Sequence, residues 1–373
     1  MEPRHADVLL VGGGVAAARC ARTLRRGGFT GTIVLVGEEE LPPYNRPPLS
    51  KELLRDDLPE ELLLSEPRSW YERRAVDLLL GVPAVALDSD AWVVSLADGT
   101  RLRYGSCLIA TGATARVPDF PARVLRTLAD ARALREAALP GGRAAVIGGG
   151  FIGVEVAASL AIRGLEVELL CGGDRLWGGA FGTAASDWAT GILQRAGVDV
   201  RFSAEPHGAP QPPGAELVVA GIGVEPRTEL ALAAGLEVDD GILVDERQAT
   251  SEPGVYAAGD VARHRGRPRV EHWHAARESG ERAGLAILGQ AVPAPRAPWV
   301  FTELGAAKLD AVGWPDPEAV EKEVAPGVIG FMREGVLVQV VLLDGAQPVE
   351  VIRAHVERNG TPAELPVLGR TSG

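Results

Sequence analysis

Only three cysteines, Cys20, Cys107 and Cys171, occur in the 373 residues, and no two of them form a CxxC pair. An odd, scattered set indicates neither a disulfide framework nor a paired zinc site, so no metal is expected and a reducing cytoplasm fits best. No charge-free apolar run reaches the 18 or so residues of a membrane helix. The stretch VLLVGGGVAAA at 8–18 could imitate a short signal-peptide core, but Glu2 and Asp7 stand beside Arg4 before it in place of a basic cluster. A long basic tract is also missing and the formal charge is -12, which argues against nucleic acid or a membrane surface as partner. Glycine (46) and proline (27) fall short of the roughly 25–30% that marks low complexity, so the glycine is expected in turns. What remains is an ordinary globular chain, 46% apolar and long enough for two or three domains with their own cores.

The most informative feature present is an internal repeat. VLLVGGGVAAARCA at 8–21 recurs as AAVIGGGFIGVEVAA at 144–158, and each reads as strand, glycine turn, helix. TIVLVGEE at 32–39 follows the first and LEVELLCGG at 165–173 the second, both of strand type. Two β-α-β units about 136 residues apart predict an α/β fold with two Rossmann-like dinucleotide-binding domains and parallel sheets. Residues 76–108 predict a small antiparallel meander turning at Asp98-Gly99. The apolar run into Gly259-Asp260 is expected to return to the first sheet. Beyond the linker PAPRAPWV at 293–300, strand-like runs and then PVEVIRAHVERNG predict a small α+β C-terminal domain. The expected boundaries are 1–112 with 245–298, 113–244, and 299–373.

Gly12, Gly14 and Ala17 have the GxGxxA spacing, in which the glycines permit a tight turn and let backbone approach a pyrophosphate at a helix N-terminus. A lone match could equally serve to pack helix on strand. Here Glu38 lies about 20 residues on, just past the second strand, where a carboxylate can accept both ribose hydroxyl protons. Gly148, Gly150 and Gly153 repeat the turn, but the residue past their second strand is Cys171. The missing acid removes repulsion of a 2′-phosphate, and Arg175 is close by, so NADPH is possible alongside NADH; Asp174 could substitute for the acid, and the preference stays open.

PPYNRPPLSK (42–51), ATGATAR (110–116), GGGFIGVEVAA (148–158), GIGVEPRTEL (221–230), GVYAAGDVA (254–262) and EHWHAA (271–276) occur in this order. Together they resemble the FAD-dependent ferredoxin reductases of the rubredoxin- and putidaredoxin-reductase type, which serve oxygenases and cytochromes P450 and are also similar to apoptosis-inducing factor. The resemblance covers roughly residues 5–315. It implies FAD contacts from Glu38, Arg46, Lys51, Arg126 and Asp260, with the backbone near Ala84 holding the adenine. It extends the cofactor contacts to Ala110, Thr111, Gly112, Phe151, Ile152, Gly223, Gly259 and Trp273. Lys51 and Glu155 resemble the pair beside the flavin where the nicotinamide stacks: the lysine can stabilise negative charge on the reduced ring and the carboxylate can orient it. The plainer readings are solvated surface charge for Arg46 and Arg126, and a structural salt bridge for Lys51 with Glu155.

Disulfide reductases of the wider fold need a cysteine pair after the first unit, and residues 37–60 contain none, so electrons are expected to leave straight from the flavin. Cys20 and Cys107 read as core. Val300-Phe301-Thr302-Glu303 replaces the aromatic-Trp-Ser-Asp-like string of the family, which puts the flavin's outer face in question. The basic run Arg263, Arg265, Arg267, Arg269 reads either as a solvated loop or as a docking patch for an acidic iron-sulfur protein. The resulting expectation is a monomeric or homodimeric NAD(P)H:ferredoxin reductase. Two alternatives stand beside it: an NAD(P)H oxidase or biosynthetic flavoenzyme that reduces oxygen or a small organic acceptor, and a slow-turnover signalling flavoprotein.

Overall fold

Alternation along a single strand organises the first half of the molecule. In the strand Arg4–Val11, Val8 and Leu10 enter one apolar core while Leu9 and Val11 enter another on the opposite face. A strand buried on both sides needs a run of apolar residues and a sheet covered on both faces, as parallel sheets are. The computed structural model describes residues 3–55, 58–204 and 214–365, and it divides into two compact units.

Unit 1 comprises Met1–Asn45, Glu60–Thr114 and Glu225–Pro295. The strand Arg4–Val11 runs parallel to Ile33–Gly37 on one side and to Arg101–Ile109 on the other. Val76–Leu80 extends the sheet in parallel beyond Ile33–Gly37, and Val255–Ala257 adds in parallel to Arg101–Ile109. The expected return of the strand before Gly259 to the first sheet is therefore observed. The expected antiparallel meander is observed in Ala84–Asp88, Val93–Leu96 and Arg101–Ile109, and it forms one edge of the main sheet. The turn falls at Asp98-Gly99, where Gly99 takes a φ of +87° and the Asp98 carboxylate accepts from the Thr100 amide.

The helix Val15–Arg26 presents Ala16, Ala17, Cys20, Ala21 and Leu24 inward, a 3.6-residue period of small side chains. These let the helix Trp273–Ile287 lie close. A Cβ added to Gly280 would stand 2.2 Å from the Ala16 carbonyl oxygen, and one on Gly284 would stand 2.8 Å from Thr23 Cβ.

Unit 2 comprises Arg46–Pro59, Ala115–Val224 and Arg296–Gly373. Its parallel sheet has the order Val198–Arg201, Glu166–Leu170, Arg143–Ile147, Leu217–Ala220. The helix Phe151–Ile162 is buried from Gly153 to Leu160 without a polar face, as expected of a helix covered on all sides. The same unit contains a five-stranded antiparallel sheet in the order Trp299–Leu304, Ala307–Gly313, Val336–Leu343, Val328–Arg333, Val320–Ala325. The helix Val349–Glu357 packs Ile352 and Val356 onto it, over a core of Val312, Val328, Leu337, Val340 and Leu342. Among the described residues no helix is long and apolar enough to cross a membrane.

Substituting Gly280 by Ala forces a methyl against a backbone carbonyl that cannot rotate away. G280A is expected to lose about 1–3 kcal/mol of stability and to shift the Ala16 turn, so thermal unfolding should come earlier and flavin content after purification should drop.

Candidate active site

The glycines of the two turns divide their work. At Gly12 (φ +127°) a Cβ would lie 2.1 Å from the Ala110 carbonyl oxygen, and at Gly148 (φ +112°) 2.3 Å from that of Gly221. These first glycines let the next strand pass. At Gly153 a Cβ would lie 1.8 Å from the Gly148 carbonyl oxygen, which seats the helix against its own turn, and Ala17 fills the corresponding place in the first unit, fully buried. The middle glycines differ: nothing lies within 4 Å of a Cβ on Gly14, and the nearest atom to one on Gly150 is 3.8 Å away. Both residues N-cap their helices without a side-chain cap. Two uncapped, positively polarised helix ends thus face open space, which is what a pyrophosphate requires. The residues present fit two dinucleotides.

In unit 1, Glu38 follows the strand Ile33–Gly37 and ion-pairs with Arg227, both about half exposed. The Arg227 amide donates to the Gly112 carbonyl at 3.0 Å, and its own carbonyl accepts from Thr111 Oγ1 at 2.8 Å. Arg227 thereby joins three residues predicted to contact cofactor. It lies within GIGVEPRTEL, and no local pattern marks its link to Glu38. Gly259 (φ +79°) donates its amide to Ser279 Oγ, and a Cβ on it would lie 3.2 Å from Ala16 Cβ, so the Gly259-Asp260 turn presses on the start of the first-fingerprint helix. Trp273 opens the helix Trp273–Ile287; its Nε1 donates to Asn45 Oδ1 at 2.8 Å, with the Arg277 guanidinium 4.4 Å from the ring centroid. Ala84 lies at the start of the edge strand Ala84–Asp88.

Unit 2 holds Arg46, Lys51, Arg126, Phe151, Ile152, Glu155, Cys171, Arg175 and Gly223 together with the second glycine turn. Arg46 donates to the Arg126 carbonyl, and Asp130, capping the helix Leu128–Ala137, accepts from the Arg126 and Thr127 amides. The two predicted phosphate cations are therefore brought together.

Lys51 is 3% exposed and has two carboxylates about its ammonium, Glu155 at 3.7 Å and Glu303 at 3.5 Å, with the Phe301 ring centroid at 4.9 Å. Lys308 approaches the same ring at 5.5 Å and ion-pairs with buried Asp310 at 3.1 Å. Glu155 is buried too: one oxygen accepts from Ser50, and the other from Thr302 Oγ1 at 2.8 Å. Ser50 is fixed in turn by Ser159, whose hydroxyl donates to the Ser50 carbonyl at 2.7 Å. Burial pushes the Glu155 carboxyl above its ordinary value, while Lys51, Ser50 and Thr302 pull it back. The expected Lys51–Glu155 pair is present. Ser50, Ser159, Thr302 and Glu303 were missed as site residues, although Ser50 directly precedes Lys51 and Thr302-Glu303 directly follow Phe301.

All three cysteines are buried free thiols, and burial drives all of them upward, Cys107 to about 12 and Cys171 to about 11. The basic run is mostly neutralised inside its own unit. Arg263 pairs with Asp239, Arg265 with Glu237, and Arg269, nearly buried, with Asp240 and Glu271. Among the described residues Arg267 has no carboxylate at ion-pair distance. The solvated-loop reading agrees with the exposure of residues 265–268, while Arg263, Arg265 and Arg269 each also have an acidic partner inside the unit.

Residues 6–280 match the family model described as pyridine nucleotide-disulphide oxidoreductase. The chain is similar to the ferredoxin–NAD(+) reductase subunit of the benzene 1,2-dioxygenase system of Pseudomonas putida, with 34% identity over 91% of this chain and 87% of that protein. It is 33% identical to rhodocoxin reductase of Rhodococcus erythropolis, over 87% of this chain and 83% of that one. Among solved structures it resembles the reductase in the covalent putidaredoxin reductase–putidaredoxin complex, with a TM-score of 0.89, 29% identity, and coverage of 95% and 93%. With two open glycine cradles and a buried lysine–glutamate pair, this chain belongs to the pyridine nucleotide-disulphide oxidoreductase family, as an oxidoreductase that works with FAD and a pyridine nucleotide.

Proposed function

We propose that the chain is a ferredoxin reductase, passing electrons from NAD(P)H through FAD to a small iron-sulfur protein that serves an oxygenase or a cytochrome P450. In this reading residues 1–112 with 245–298 bind FAD, 113–244 bind the nicotinamide nucleotide, and 299–373 form the C-terminal domain. Bound FAD supplies the step that proteins lack, accepting two electrons from a nicotinamide and releasing them singly.

The observation that carries the reading is the buried Lys51 ammonium, held by Glu155 and Glu303 in a chain with no cysteine between residues 37 and 60. A fixed positive charge favours electron density arriving beside it, and in a site shielded from water its effect is larger than in solvent. Glu155 positions the lysine, Ser50 and Thr302 position Glu155, and Phe301 covers the ammonium on another side. Glu38 is assigned to the FAD ribose, with Arg227 holding its carboxylate in place. Partner names borne by the relatives support an iron-sulfur acceptor. In the basic run, Arg267 and the half-exposed Arg265 are the arginines open to an acidic partner.

Glu155→Gln keeps the shape and can accept from one of the two hydroxyls, the other having to turn and accept from the amide, and it removes the charge that orients Lys51. Anaerobic stopped-flow absorbance should show flavin reduction slowed about 10–100-fold, matching the roughly 1.5–3 kcal/mol of a charged hydrogen-bonded contact. The sign with pH follows from the raised carboxyl: as pH falls, Glu155 takes up its proton earlier than an ordinary glutamate and releases Lys51. The native rate should therefore fall with a midpoint above 4.5, whereas the Gln variant should lack that limb. For the acceptor, reduced protein mixed with a [2Fe-2S] ferredoxin should reoxidise promptly, with little oxygen uptake when the carrier is left out. Oxygen consumption equal to coenzyme loss without any carrier would instead establish the oxidase reading.

A further inference from the structure

The strand Glu166–Leu170 ends where dinucleotide-binding domains place the carboxylate that grips the adenosine ribose, and the residue there is Cys171. Its thiol is turned inward. A Cβ on Gly149 would stand 2.9 Å from the Cys171 sulfur, so the side chain packs beneath the glycine turn. The Cys171 backbone is committed as well, its amide to the Arg201 carbonyl at 2.8 Å and its carbonyl to the Ala204 amide at 3.0 Å. Cys171 therefore offers a nucleotide nothing.

The first outward-facing charges after it are Asp174 and Arg175. They hold each other through two parallel contacts, Nε to Oδ1 at 3.1 Å and Nη2 to Oδ2 at 3.0 Å, and Arg175 Nη1 also donates to Thr183 Oγ1 at 3.0 Å. Two residues further on, the Trp177 amide donates to the Gly149 carbonyl at 2.7 Å, and Leu176 lies against the same glycine. The pair is thus moored to the second glycine turn. Their side chains keep 74% and 39% of their exposure, so each can be reached from solvent and an exposed pair of this kind is cheap to open.

We infer that Asp174 and Arg175 form a two-way clamp for the adenosine end of the coenzyme, so that this chain accepts NADH and NADPH with comparable affinity. A ribose diol takes Asp174, which has two acceptor oxygens. A 2′-phosphate takes Arg175, whose planar fork matches a phosphate bidentately. Because each residue neutralises the other, the loop neither repels the phosphate, as a lone acid would, nor selects it, as a lone cation would. The inference rests on the reading that the second glycine turn holds the nicotinamide nucleotide.

The test is calorimetric titration of the flavin-loaded protein with ADP-ribose and with 2′-phospho-ADP-ribose, which carry only the end in question. It is run beside anaerobic flavin reduction by NADH and by NADPH. Dissociation constants within about tenfold of each other are expected, with the phosphorylated probe weakening more steeply as salt is raised, since its extra contact is an exposed charge pair. Arg175→Ala should move the ratio of the two constants at least tenfold toward ADP-ribose, and Asp174→Asn should move it toward the phosphorylated probe. A native preference beyond about 100-fold, or variants that shift both probes equally, overturns the clamp while leaving the reductase reading intact. Failure of both probes to bind and of both coenzymes to bleach the flavin overturns the clamp and the assignment of the second turn together.

Discussion

A carboxylate and an ammonium withdrawn from water set the terms for unit 2. Glu155 sits near the start of a helix buried from Gly153 to Leu160, and Lys51 is even less accessible. Charges in that condition are tolerated only when paired and hydrogen-bonded. The chain meets the requirement from three separate places: Ser50 and Lys51, the helix itself, and Thr302 with Glu303 on the first strand of the C-terminal sheet. Burial of this pair therefore explains why the segment Arg46–Pro59 and the C-terminal sheet share a unit with the second glycine turn.

Parts of this architecture are written locally and could be read from the chain. A glycine turn is a steric device spanning six residues, and the geometry at Gly12, Gly148 and Gly153 shows the clashes that made those residues glycine. The alternation of Val8 to Val11 and the apolar run before Gly259 were equally local, and both strands lie in the first sheet as expected. Other parts are not local. Ser50 and Thr302 lie 105 and 147 residues from Glu155, and no periodicity connects them. Arg227 reaches Glu38 across 189 residues. The acidic partners of the basic run are distant as well: Glu237, Asp239 and Asp240 precede it by more than twenty residues, with the strands Ile242–Val244 and Val255–Ala257 between. The meander at 84–109 was seen as strands, but their attachment to the parallel sheet depends on the pairing of Arg101–Ile109 with Arg4–Val11.

The two glycine turns are one device built twice, each with the geometry to take a dinucleotide. Each first glycine passes a neighbouring carbonyl, and each middle glycine leaves an uncapped helix end open. They diverge at the end of the next strand, with an exposed carboxylate paired to a distant arginine in one and an inward thiol followed by a neighbouring acid–base pair in the other. On the proposed reading, the divergence falls where the two nucleotides differ, while the pyrophosphate they share accounts for the common turn.

The depth at which the thiols lie has a consequence for how the molecule handles charge over time. Disulfide-bearing relatives of this fold can hold a pair of electrons in a sulfur–sulfur bond. Here Cys20, Cys107 and Cys171 are single and buried, and burial raises their pKa so that they stay protonated. The chain thus has no sulfur reservoir between its electron source and its sink. On the proposed reading, electrons taken from the coenzyme can therefore wait only on the bound flavin, with no second store in the protein behind it.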